Sequence, residues 1–78
     1  MTVRAYILIQ TEAGHAAEVA HAISAFEGIA SAEGVTGPYD VIVQAESSTM
    51  DELGKKVVSQ VQAVPGITRT LTCPVVRI

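Results

Sequence analysis

Hydrophobic and polar positions change their period several times along the chain, and each change predicts an element. Residues 3 to 10, VRAYILIQ, are rich in β-branched and aromatic side chains and stop at the break Thr11-Glu12-Ala13-Gly14, which predicts a first strand. From His15 to Glu27 the apolar positions Ala16, Val19, Ala20, Ile23 and Phe26 recur at spacings of three and four, the mark of one helical face, and Gly28 ends the run. IASAEGVT, residues 29 to 36, predicts a weaker strand interrupted by Gly34. It leads through Gly37-Pro38 into the clear strand YDVIVQAE, and so short a connection makes the two an antiparallel hairpin. Thr49 stands three places before Glu52, the capping-box spacing in which each side chain satisfies the other's backbone N–H. A second helix is expected from there, with Met50, Leu53, Val57, Val61 and Val64 on one face and Pro65-Gly66 as its stop. ITRTLTCPVVRI predicts a last strand, at an edge or bulged near Pro74 because proline has no N–H for a ladder.

The order is βαββαβ, that of an α+β, ferredoxin-like split βαβ fold: a four-stranded antiparallel sheet with both helices on one face. Side chains alternate across a strand, so Ala5, Ile7 and Ile9 face one way and Tyr6 and Leu8 the other. In the last strand Ile67, Leu71 and Val75 are expected on one face, with Val76 and Ile78 on the other. Both faces of the sheet are therefore apolar. Helices cover only one, and a second copy packed sheet to sheet is the economical cover for the other.

Composition agrees with this picture. The 78 residues are 49% hydrophobic and only 17% charged, a surplus of core-type residues for one small domain. Five basic residues against eight acidic ones give a formal charge of -3, and the basic residues are scattered, a poor footprint for nucleic acid. Nothing in the chain approaches a membrane span, and a lone Cys73 excludes an internal disulfide, so a reducing cytoplasm is the simplest setting.

Few residues suggest chemistry. His15 and His21 are six apart, not at the i, i+4 spacing of metal-binding helices, and are read as surface or boundary histidines; Cys73 is read as a buried structural thiol. No metal or cofactor is expected, nor a nucleophilic triad or phosphate loop. Asp40 differs, because an acid at the mouth of a strand needs a cation or several donors. One reading is an Asx-type hydrogen bond that fixes the turn. The other is a site for a free amino acid, with Asp40 accepting its ammonium and the N–H groups around Gly37 and Tyr39 receiving its carboxylate. Thr68, Thr70 and Thr72, expected on one face of the last strand, either add hydroxyls to that site or are β-branched strand filler.

GHAAEVAHAI, VTGPYDVIVQAE, MDEL and VPGITRTLT resemble, in order and spacing, the effector-binding module of the Lrp/AsnC (leucine-responsive/asparagine-activated) regulators, the RAM domain. The resemblance runs over nearly the whole chain, and the hairpin and the Pro-Gly-Ile-x-x-Thr-x-Thr segment are its most specific parts. It implies the fold above, dimers paired through their sheets, rings of dimers, and a free amino acid bound between dimers. By position it implies that Gly37, Pro38, Tyr39 and Asp40 form the effector loop, with Thr70 and Thr72 as hydroxyl positions. Full-length regulators of this type carry an N-terminal helix-turn-helix domain, whereas this sequence begins almost on its first strand. The expectation is a stand-alone, non-enzymatic, cytoplasmic domain, 1–78, without direct DNA or membrane contact. It would sense an amino acid for another protein or join full-length relatives. Other classes stay open: a small dimeric oxygenase or isomerase, an ACT-like sensor centred on Gly14, or a purely structural oligomerisation module.

Overall fold

A computed structural model describes residues 2–76. Four strands, β1 (Val3–Thr11), β2 (Ile29–Gly34), β3 (Val41–Ser47) and β4 (Ile67–Pro74), form one antiparallel sheet in the order β2-β3-β1-β4. Helix α1 (Ala16–Ser24) joins β1 to β2. Three helical segments laid end to end, Met50–Glu52, Leu53–Val58 and Ser59–Gln62, make the second helix, α2, between β3 and β4.

Both helices cover one face, as predicted, and it is the face of Ala5, Ile7 and Ile9. Ala5, Ile7 and Ile9 of β1 and Val41, Val43 and Ala45 of β3 are buried against Val19 and Ile23 of α1 and Leu53, Val57 and Val61 of α2. At about 1.5–3 kcal/mol for each large aliphatic side chain removed from water, this single layer is the main favourable term in folding. No polar or charged residue is buried among the described residues, so the layer needs no internal hydrogen-bonding network.

Several boundaries and faces depart from expectation. Helix α1 stops at Ser24, whose Oγ donates to His21 O at 2.7 Å, and Gly28 with φ +89° turns the chain into β2. The predicted capping box is half formed. Thr49 Oγ1 accepts from Glu52 N at 3.1 Å, but the Glu52 carboxylate reaches forward to Lys56 Nζ at 2.9 Å instead of back to the Thr49 N–H. The middle of α2, Leu53–Val58, is wound as a π-helix. Buried Leu53, Val57 and Val61 recur every four residues, a spacing that walks about 40° per step around an ordinary α-helix. A wider turn brings them back into line over the sheet.

In β4 a bulge overturns the predicted alternation. Gln10 pairs with Arg69 but Thr11 with Ile67, leaving Thr68 as the extra residue. Ile67 consequently packs on the helix-side core, while Leu71, opposite Leu8, faces the other way. Val75 and Val76 follow the strand, and the expectation for Ile78 lies outside the described residues.

Candidate functional site

The predicted effector loop is the six-residue connection between β2 and β3. Val35 N donates to Asp40 O at 2.8 Å and closes the loop at its base, and Asp40 N donates to Ile9 O at 2.9 Å. Gly37 sits at φ +129°, a conformation that disfavours side chains, and a Cβ there would meet nothing within 4 Å. Loop and sheet are tied together by Gln10 Nε2, which donates to Pro38 O at 3.0 Å. Among the described residues no hydrogen bond engages the N–H of Gly37 or Tyr39.

Asp40 has a local task that neither sequence reading named. Its Oδ2 accepts from Thr11 N at 2.8 Å, a bond to a residue 29 positions earlier rather than to its own turn. The carboxylate thus finishes the end of β1 where the bulge of β4 disturbs the ladder. Among the described residues its second oxygen makes no hydrogen bond.

The threonines are divided. Thr70 and Thr72 pair with Ile9 and Ile7 and so lie on the helix side of β4, where Thr70 Oγ1 accepts from Gln62 Nε2 at 3.3 Å. Thr68, at the bulge, donates instead to Gln10 O at 3.2 Å. Because β1 lies between β3 and β4, the Asp40 loop and the Thr70-Thr72 pair stand about 10 Å apart, two strand spacings, and do not form one constellation inside a single chain. Gln10, the residue that braces the loop, carried no sequence signal beyond its place at the end of the first strand.

Clefts lined by the described residues include three around this frame. One of about 200 Å³ is lined by Gln62, Ile67, Thr68, Arg69 and Thr70. A shallow one of about 760 Å³ lies between Ala16-Ala17 and Gly34–Thr36, at the foot of the loop. The third, about 470 Å³, opens at the opposite end of the sheet and is lined by residues including Glu27, Glu46, Glu52 and Lys56. There the hydrogen bond and charge of Glu52, with Glu27 adding to them, raise the Lys56 ammonium above its ordinary value of 10.5. Sequence spacing gave no hint of this cleft beyond the i, i+4 relation of Glu52 and Lys56, because its carboxylates come from the turn after α1, from β3 and from α2.

The remaining candidates are ordinary. His15 Nδ1 and Glu18 Oε2 are 3.1 Å apart on the exposed start of α1. Cys73 is half-buried on the open face of the sheet, opposite Tyr6, rather than in the core where it was expected. No group of three or more potential metal ligands exists among the described residues, and no helix there is long and apolar enough to cross a membrane.

Comparison with known proteins places this architecture. The family model of the Lrp/AsnC ligand binding domain matches residues 4–78. The HTH-type transcriptional regulator FL11 of Pyrococcus abyssi is 33% identical over 73 residues, which are 94% of this chain and 48% of that protein, so the chain spans about half the length of this curated relative. Among solved structures, hypothetical protein PHS023 from Pyrococcus horikoshii is 32% identical, with a TM-score of 0.87 and coverage of 97% of this chain and 92% of that one. The transcriptional regulator NMB0573/L-Met complex from Neisseria meningitidis shares the fold at 21% identity and a TM-score of 0.80, with 96% of this chain and 50% of that one covered. Matched over nearly its whole length, this βαββαβ chain belongs to the Lrp/AsnC ligand-binding domain family.

Proposed function

We propose that this domain is a non-enzymatic sensor of a free amino acid, which it binds between dimers of itself. The observation that carries the reading is family membership over residues 4–78, and the L-Met complex of a regulator with the same fold supports the ligand class. The loop has the complementary chemistry. Gly37 and Tyr39 offer unengaged N–H donors for a carboxylate, Pro38 shapes the loop between them, and the free oxygen of Asp40 is an acceptor for an ammonium.

Thr70 and Thr72 enter the site from a neighbouring copy, since about 10 Å separates them from the loop of their own chain. A ligand that touches two dimers stabilises the assembly by its differential affinity, so occupancy and ring formation are linked. Full-length relatives are the macromolecular partners this scheme allows, through mixed assemblies.

A thermal-shift panel of free amino acids tests the proposal. At about 100 times Kd a ligand adds ~2.7 kcal/mol to the native state, which in a domain of this size raises Tm by roughly ten degrees. One or a few amino acids are expected to produce such a shift and to increase the mass seen by light scattering. No shift with any amino acid at millimolar concentration, on an assembled sample, refutes sensing.

A further inference from the structure

Three consecutive residues of β1 hold the loop between β2 and β3. Ile9 O accepts from Asp40 N at 2.9 Å, Thr11 N donates to Asp40 Oδ2 at 2.8 Å, and between them Gln10 Nε2 donates to Pro38 O at 3.0 Å. The first two bonds fix the point where the loop enters β3. The third reaches the tip, and among the described residues no other hydrogen bond engages Thr36, Gly37, Pro38 or Tyr39. Without it the tip would hang from the closing pair of Val35 and Asp40 across four residues, one of them a glycine at φ +129°.

The donor is itself anchored. Ile9 is fully buried on the helix side, so alternation puts the Gln10 side chain on the open side of the sheet. Its backbone pairs with Arg69, and its carbonyl oxygen accepts from Thr68 Oγ1 at 3.2 Å, at the bulge of β4. Gln10 is half-buried, whereas the Pro38 it reaches is exposed. A residue fixed in the sheet thus grips one that is not.

Gripping Pro38 O has a consequence for the next residue. The Pro38 carbonyl and the Tyr39 N–H belong to one planar peptide unit, and the described peptide bonds are trans, so the two groups point in opposite directions. Proline has no N–H of its own, which leaves Gly37 and Tyr39 as the donors around it. The bond from Gln10 therefore sets the direction of one of the two. A donor left to be oriented at binding lowers affinity by the cost of ordering it.

We infer that Gln10 is a positioning residue of the effector loop: by holding the Pro38 carbonyl it presets the Tyr39 N–H for the carboxylate of a free amino acid. Gln10 acts through Tyr39 and does not touch the ligand. Thr68 serves the same end one step further back, by fixing the backbone of Gln10. The inference rests on the proposed function and adds to it the side chain that orders the loop before a ligand arrives.

The test uses the full chain, Gln10→Met, which keeps the length of the side chain without a donor, and Gln10→Lys, whose ammonium donates to the same oxygen. Backbone ¹⁵N relaxation needs no ligand. Tyr39 is expected to be ordered in the parent, with an order parameter near 0.85, to fall below about 0.6 in Gln10→Met, and to stay ordered in Gln10→Lys, while the strands are unchanged in all three. The common free L-amino acids, each titrated in thermal shift, are then expected to bind Gln10→Met about fivefold or more weakly than the parent, since affinity falls with the fraction of competent loop. A Tyr39 that is equally ordered in Gln10→Met and the parent, or mobile in both, overturns the positioning role. So does a loop that loosens without loss of affinity. A parent that responds to no amino acid overturns the sensing reading instead, whatever the relaxation data show, and the role of Gln10 in binding goes with it.

Discussion

Asp40 shows how one residue carries two separable demands. Its Oδ2 satisfies the Thr11 N–H at 2.8 Å, and its other oxygen is the proposed ammonium acceptor. Asp40→Ala leaves a part-buried donor without its partner and is expected to lower stability by about 1–2 kcal/mol in chemical denaturation. Asp40→Asn keeps a carbonyl oxygen for Thr11, so its unliganded stability should stay within about 0.5 kcal/mol of the parent while the amino-acid-induced shift disappears. A ligand response that survives in the asparagine variant removes Asp40 from the site. The acid in the turn was legible from the sequence as an anomaly of strand propensity. Its partner was not, because a contact across 29 residues leaves no local trace.

Among the elements, α2 and its neighbours hold the clearest contrast between glycines. A Cβ on Gly28, where φ is +89°, would stand 2.8 Å from Val57 Cγ2 and 3.1 Å from Glu46 O, in the wedge where α1, β3 and α2 meet. Gly28→Ala therefore combines backbone strain with a clash against the core, and a loss of about 2–4 kcal/mol is expected in urea unfolding. Gly54 lies in the π-wound segment with nothing within 4 Å of its Cβ position, so Gly54→Ala should stabilise by about 0.5–1 kcal/mol. Equal effects from the two substitutions would mean that this helix–sheet packing is wrong. Both helices and all four strands followed from period and punctuation. The π winding did not, because it answers the sheet beneath Leu53, Val57 and Val61 rather than any preference of the residues that form it.

At the scale of the molecule, one face of the sheet is closed by helices, and the proposed function leaves the other to a second copy. Protein concentration should then enter stability directly: Tm in scanning calorimetry is expected to rise with concentration, because dimerisation pulls on the folded state by mass action. A concentration-independent Tm together with the mass of a single chain would contradict the pairing. The sequence by itself determined the element order, the fold class, the two-sided alternation of β1, and the family resemblance, since all of these rest on local period and on short motifs. Only the tertiary structure decided that β4 is bulged at Thr68, that Ile67 and Leu71 part company, and that Thr70 and Thr72 lie two strand spacings from Asp40. Register and strand order are set by which residues meet across the sheet, and two segments that are far apart in the chain carry no record of how they will align until they have paired.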